Sequence, residues 1–121
     1  MVKALFDTNI LIDYLNGVGK VRDELDRYVD TSISIITWME VLVGARPQVA
    51  AATREFLQSF EVVPIDQVVA ERAVILRQKY RMRLPDAIIW ASAETDGKLL
   101  VTRNTKDFPA DAPGIRIPYM I

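Results

Sequence analysis

Short apolar, β-rich runs alternate with helix-patterned stretches along this chain, and that order leaves few ways to fold it. Val2–Phe6 (VKALF) reads as a buried strand, and TNILIDYLNG follows with Ile10, Leu11, Tyr14 and Leu15 at helical spacing before Gly17. A second helix is predicted over Lys20–Tyr28, a β-rich run over Ser32–Ile36, and a helix capped by Thr37 running to about Ala45. Pro47 restarts helix, EVVPI is a brief strand, and Asp66 is placed to cap a long helix from Gln67 to about Arg81. Pro85 and Asp86 open a further helix ending near Gly97; Lys98–Thr102 and GIRIPYMI read as the last strands, with RNTKDF as a turn between them. Alternation of this kind predicts an α/β fold with a mostly parallel sheet and helices on both faces, whose working residues gather at the carboxyl ends of the strands. No repeat, low-complexity segment or linker interrupts it, so residues 1–121 are expected to form a single domain.

Composition restricts the chemistry. With no cysteine, the chain has no disulfide, thiolate nucleophile or Cys-type zinc site. With no histidine, it lacks the commonest general base, and Ser-His-Asp and Cys-His catalysis are excluded. An enzyme built from this chain must work through carboxylates, hydroxyls, Lys, Arg or Tyr, or through a metal that they hold. The net charge of −1 gives no global basic field to draw in nucleic acid, though a local basic groove remains open. No apolar run reaches the roughly 18 residues a membrane span needs. Asp7 interrupts the apolar N-terminus, so no signal peptide is expected and a cytoplasmic location is the default.

Most of the 16 acidic residues, among them Asp23, Glu24, Asp26, Glu55, Glu71 and Asp96, lie in polar helical stretches and read as solvated faces. Four do not fit that pattern. Asp7 ends the first strand; it can cap the next helix, and Asn9 adds an oxygen-bearing group at the same turn. Glu40 stands in ISIITWMEVLVGA with Ile36, Thr37, Val43 and Gly44 three and four positions away; it is either exposed at an outer edge or needs a partner. Asp86 lies in a first helical turn, where it complements the helix dipole. Asp107 follows the strand at Lys98–Thr102, flanked by Thr102 and Asn104. Each has an ordinary structural reading, but a parallel sheet brings all four places to one end. Carboxylates gathered there repel by about 4 kcal/mol per pair at 4 Å in an effective dielectric of 20. A hard divalent cation with all-oxygen ligands, Mg²⁺ or Mn²⁺, relieves that repulsion and supports phosphodiester hydrolysis without histidine.

Taken together, ALFDTNILID, ITWMEVLVGA, RLPDAIIWASA and LLVTRNTKDF resemble the PIN-domain family in its own order across nearly the whole chain, and most closely the VapC-type toxins of prokaryotic toxin–antitoxin pairs. The resemblance implies a three-layer α/β/α sandwich around a sheet of about five strands, and a Mg²⁺- or Mn²⁺-dependent endoribonuclease. It carries the family's acids onto Asp7, Glu40, Asp86 and Asp107. Asp7 and Asp86 would be direct metal ligands, and Glu40 and Asp107 would hold a second ion or orient water. Asn9, Thr102 and Asn104 would support them.

RNA is the implied substrate, with Arg46, Arg81, Arg83, Arg103 and Lys106 near the acidic motifs as candidate phosphate contacts. The implied partner is a small antitoxin whose disordered tail folds over the groove. The family usually dimerises, and Ile35, Trp38, Val41 and Leu42 could serve a dimer face or the core, with core preferred. Two other readings stay open: a PIN-like module that binds RNA or protein without cleaving, and a response-regulator receiver domain with Asp66 as phosphoacceptor.

Overall fold

The computed structural model describes residues 2–120. Strands β1 (Ala4–Phe6), β2 (Thr31–Ser34), β3 (Glu61–Val63), β4 (Leu99–Val101) and β5 (Ile115–Arg116) form a sheet in the order β3-β2-β1-β4-β5. Every pairing is parallel, with Ala4 opposite both Thr31 and Leu99. Six α-helices connect them: α1 (Thr8–Leu15), α2 (Lys20–Leu25), α3 (Ile35–Gly44), α4 (Ala50–Leu57), α5 (Gln67–Tyr80) and α6 (Leu84–Thr95), with a 3₁₀ turn at Pro47–Val49 before α4.

The central strands β1, β2 and β4 are buried on both faces, as a parallel sheet requires, while the edge strands β3 and β5 are partly open. Alternation along β1 sends Leu5 to one side and Ala4 and Phe6 to the other. Leu5 and Leu100 pack against Ala73 and Leu76 of α5 and Ile89 and Trp90 of α6. On the opposite face, Phe6, Ile33 and Val101 pack with Ile10 and Leu11 of α1, Val21 of α2, Val41 of α3 and Leu57 of α4. The α/β/α sandwich is thus helices α1–α4, the sheet, and helices α5–α6.

Local signals set the helix ends. The Asp7 carboxylate accepts from the Thr8 amide at the start of α1, and Gly17, at φ 84°, turns the chain after it. Asp66 Oδ1 accepts from the Val69 amide at the start of α5, so the residue that a receiver domain would phosphorylate is a helix cap beyond β3, at the sheet edge. Arg81 ends α5 in the left-handed region at φ 55°, a conformation that costs an ordinary side chain about 1–2 kcal/mol.

Several expected boundaries move. The strand read over Ser32–Ile36 ends at Ser34, and Ser34 caps α3 through its hydroxyl and the Ile36 amide. Thr37, expected as the cap, is buried within the helix. Helix α2 stops at Leu25 rather than Tyr28, because Asp26, Arg27 and Tyr28 close in successive turn hydrogen bonds. The first and fourth strands are shorter than predicted, and the last is only Ile115–Arg116; the end of its predicted span, Ile121, lies outside the described residues, as does Met1. Of the apolar residues weighed between core and dimer face, Val41 is buried, while Ile35, Trp38 and Leu42 are half-buried.

Candidate active site

Strand order reverses between β1 and β4, since the chain runs outward from β1 to β2 and β3 and then returns to β4 on the other side. A crevice opens at such a switch point, at the carboxyl ends of the two strands. Asp7 leaves β1 on one side of it; Thr102, Asn104 and Asp107 leave β4 on the other. The backbone keeps them close, because the Asp7 amide donates to Val101 O at 2.9 Å.

Asp7 is 3% exposed. Its Oδ1 accepts from the Thr8 amide at 2.8 Å, and its Oδ2 accepts from Thr102 Oγ1 at 2.8 Å and Asn9 Nδ2 at 3.1 Å. No ion pair reaches Asp7 among the described residues. Burial, helped by the like charges of Asp86 and Glu40, lifts its carboxyl pKa to about 6 against the hydrogen bonds from Thr102 and Thr8.

Of the other three expected acids, Asp86 and Glu40 are charged neighbours of Asp7, and Asp107 is a charged neighbour of Asp86. Asp86, buried in the first turn of α6, is raised by burial and by the charges of Asp107 and Glu40, while Arg83 Nε, 3.2 Å from its Oδ2, pulls the other way. Glu40 lies at mid-helix in α3 and is exposed, so the buried carboxylate that its apolar neighbours suggested is not found. It still faces the crevice: its Oε1 accepts from Thr8 Oγ1 at 2.6 Å, and that hydroxyl lies 3.0 Å from the buried Thr37 hydroxyl. Asp107 Oδ2 accepts from Asn104 Nδ2 at 2.9 Å, and the Asn104 amide donates to Thr102 Oγ1 at 3.0 Å.

Like charges couple these acids in a chain: Asp7 senses Asp86 and Glu40, and Asp86 senses Glu40 and Asp107. Among the described residues no three of them stand together as a ready-made ion cage. Arg83 takes Asp86 and Asn104 takes Asp107. The donor set nonetheless suits a hard divalent cation. Its ligands are all oxygen, Asp7 is buried without a countercharge, and the guanidinium on Asp86 marks a place where positive charge is accepted. Arg83 is 72% exposed along its side chain, so leaving Asp86 costs it little packing.

The candidate phosphate contacts divide. Arg46, Arg81 and Lys106 are exposed, and Arg83 rests on Asp86. Arg103 instead turns inward onto Asp13, with Nε 2.5 Å from Oδ2 and Nη2 2.8 Å from Oδ1. Sequence reasoning passed over Asp13; its one signal was its place a helical turn beyond Asn9 on α1. It also placed Glu24 on a solvated face, whereas Glu24 is 4% exposed and clamped by Arg116 at 2.6 and 2.9 Å.

A groove of about 780 Å³ runs between α1, α3 and α4, lined by apolar residues such as Leu15, Val41 and Val49 and by the polar Asn16, Arg46 and Gln48. Apolar side chains of α3 stay open to solvent nearby, Met39 at 42% and Val43 at 87% exposure. No helix among the described residues is long and apolar enough to cross a membrane.

Comparison with known proteins agrees with this architecture. The PIN domain family model matches residues 4–110. Ribonuclease VapC10 of Mycobacterium tuberculosis is 32% identical over 113 residues, covering 87% of this chain and 85% of the relative. A chain of a toxin–antitoxin complex from Klebsiella pneumoniae is 49% identical and superposes with a TM-score of 0.93 over 98% of this chain and 100% of that one. A chain of the DNA-bound VapBC from Salmonella typhimurium is 27% identical, with a TM-score of 0.78 over 96% of each chain. A family match over most of the sequence, on a parallel sheet with acids converging at its switch point, establishes that this chain belongs to the PIN domain family.

Proposed function

We propose that this chain is the ribonuclease toxin of a type II toxin–antitoxin pair, a single PIN domain over residues 1–121 that hydrolyses RNA phosphodiesters in the cytoplasm with Mg²⁺ or Mn²⁺. The observation that carries the reading is Asp7, a buried carboxylate with no ion pair among the described residues and with Asp86 and Glu40 as its charged neighbours. Such a group is stable in its ionised form only with a countercharge, and oxygen ligands in this number suit a hard divalent cation. The similarity to Ribonuclease VapC10 supports RNA as substrate, and the 49% identity to a chain of a toxin–antitoxin complex supports an antitoxin as partner.

Asp7 and Asp86 are assigned as the direct ligands, and Glu40 and Asp107 as holders of a second ion or of water. When bound, the ion supplies a lowered water pKa and charge stabilisation at the phosphate. This chain's own residues do the rest. Thr102 and Asn9 hold Oδ2 of Asp7, and Thr8 holds Glu40 at the rim, where its exposed carboxylate can accept a proton from water on the RNA side. Arg46, Arg81 and Lys106 are assigned to RNA phosphates, joined by Arg83 once it leaves Asp86. Arg103, committed to Asp13, is not. The groove between α1, α3 and α4, partly apolar and edged by Arg46, offers the antitoxin a seat. The half-buried and exposed apolar residues of α3 suit a homodimer contact.

Expression of the chain alone tests the toxin reading. Bacterial growth should slow, and co-expression of the neighbouring small gene should restore it. Growth arrest that persists with Asp7→Asn would remove cleavage as the cause and favour a binding module.

A further inference from the structure

Two buried carboxylates outside the candidate metal site carry the same dress. Asp13 is 4% exposed, is gripped through both oxygens by Arg103, and accepts from Tyr119 Oη at 2.8 Å. Glu24 is held through both oxygens by Arg116 and accepts from Tyr28 Oη at 2.9 Å. Their surroundings separate them. The Glu24 clamp meets the site through main chain alone: the Thr102 amide donates to Arg116 O at 3.0 Å, and among the described residues no side chain of Glu24, Arg116 or Tyr28 bonds Asp7, Asn9 or Thr102. Asp13 stands on α1 one turn beyond Asn9, and Arg103 is the residue after Thr102. Asn9 and Thr102 are the two side-chain donors to Oδ2 of Asp7. The Arg103 amide also lies 3.4 Å from Asn9 Oδ1, closing a ring between α1 and the loop after β4.

We propose that Asp13, Arg103 and Tyr119 are positioning residues for the Asp7 carboxylate: the ion pair fastens α1 to the loop after β4 and so fixes Asn9 and Thr102 on Oδ2. The role rests on the metal-dependent ribonuclease reading. A planar, two-point Arg–carboxylate contact suits it, since it sets orientation as well as distance, and a lysine could not reproduce that geometry. Asp13 is buried, so the two-point contact is shielded on its carboxylate side while the Arg103 side chain stays 35% exposed. The contact also explains why an arginine next to the site motif turns away from the crevice.

Four single variants of the full chain test this: Asp13→Asn, Arg103→Lys, Tyr119→Phe and, as a control of like chemistry elsewhere, Glu24→Gln, together with the double variant Asp13→Asn/Arg103→Lys. Initial cleavage rates against total cellular RNA, Mn²⁺ affinity by calorimetry, thermal midpoints and backbone amide spectra are recorded for each. The three positioning variants should lose ~10–100-fold in rate at saturating RNA or in Mn²⁺ affinity, with the RNA concentration for half-maximal rate within about twofold of wild type. Asp13→Asn and Arg103→Lys should be non-additive in the double variant. Glu24→Gln should lower the thermal midpoint while leaving both readouts at wild-type values below that midpoint. Tyr119→Phe keeps the ion pair and supplies a folded variant should Asp13→Asn fail to fold. Unchanged rate and Mn²⁺ affinity in the folded positioning variants would overturn the proposal. So would a weakened RNA half-saturation with unchanged maximal rate in Arg103→Lys, which would make Arg103 a phosphate contact. A wild-type chain that cleaves nothing would remove the ribonuclease reading alone. The amide signals of Asn9, Thr102 and Asn104 then decide: displacement in the positioning variants but not in Glu24→Gln supports the role, and unmoved signals contradict it.

Discussion

Thr102 Oγ1 donates to Asp7 Oδ2 at 2.8 Å, although the two residues are 95 positions apart in the chain. The contact exists because β4 returns to pair with β1, setting Leu5 opposite Leu100 and Phe6 opposite Val101, so the residues just past each strand meet. Thr102→Val keeps the side-chain shape and removes the donor. Cleavage at saturating Mn²⁺ should fall ~10–100-fold, with a loss of about 1–3 kcal/mol in stability from the under-satisfied carboxylate. Steady-state cleavage and chemical denaturation measure the two effects.

Asp7 itself should be a stability cost in the metal-free protein. Its folded pKa, about 6, lies above the ordinary 3.8, so folding disfavours the ionised form and stability falls as pH rises through that interval. Asp7→Asn should therefore raise the thermal midpoint in EDTA at pH 7.5, by no more than about 3 kcal/mol in free energy, and the advantage should vanish by about pH 4.

The two Arg-clamped acids act with the opposite sign. For Asp13, the Arg103 hydrogen bond lowers the pKa against the pull of burial; for Glu24, burial works upward but the Arg116 and Tyr28 bonds outweigh it. A depressed folded pKa gives stability that is present above the ordinary carboxylate range and lost as pH falls through the folded value. With Asp7 shifted upward and Asp13 and Glu24 downward, metal-free protein should lose stability as pH rises toward about 6 and again as pH falls below the ordinary carboxylate range. In thermal melts across pH, Glu24→Gln should lie well below wild type at pH 7 and approach it in acid.

Arg83 competes with any cation for Asp86. Arg83→Gln should tighten Mn²⁺ binding to the RNA-free protein, read by calorimetry, because the guanidinium 3.2 Å from Oδ2 no longer has to be displaced. The same variant should weaken RNA binding, most clearly at low salt.

What the sequence made legible followed from local pattern. Asp7, Asp86 and Asp107 each stand beside a strand or at a helix start, so alternating elements were enough to bring them to one end of a parallel sheet. Long-range partners were not legible. KVRDEL reads as a polar helix, and nothing in it announces that Glu24 meets Arg116, 92 positions on. Asp13 and Arg103, 90 positions apart, are hidden the same way, so the sequence alone offers Arg103 as a phosphate contact. In SISIIT, Ser34 and Thr37 are both plausible caps, and the β-branched Ile35 and Ile36 prolonged the strand reading; the Ser34 hydroxyl on the Ile36 amide decides it. The sequence leaves Glu40 open between an exposed edge and a partnered interior because apolar neighbours signal burial only against a core. Met39 and Val43 are apolar and exposed, on a helix with an unpartnered outer face.

The most direct test of the metal-dependent ribonuclease is RNA cleavage by the purified chain with and without Mn²⁺ or Mg²⁺, with Asp7→Asn and Asp86→Asn as controls. Cleavage should require the added ion, stop in excess EDTA, and be lost in both variants while their thermal unfolding remains cooperative. Cleavage by the wild-type chain that persists in excess EDTA, or that survives Asp7→Asn, would contradict it.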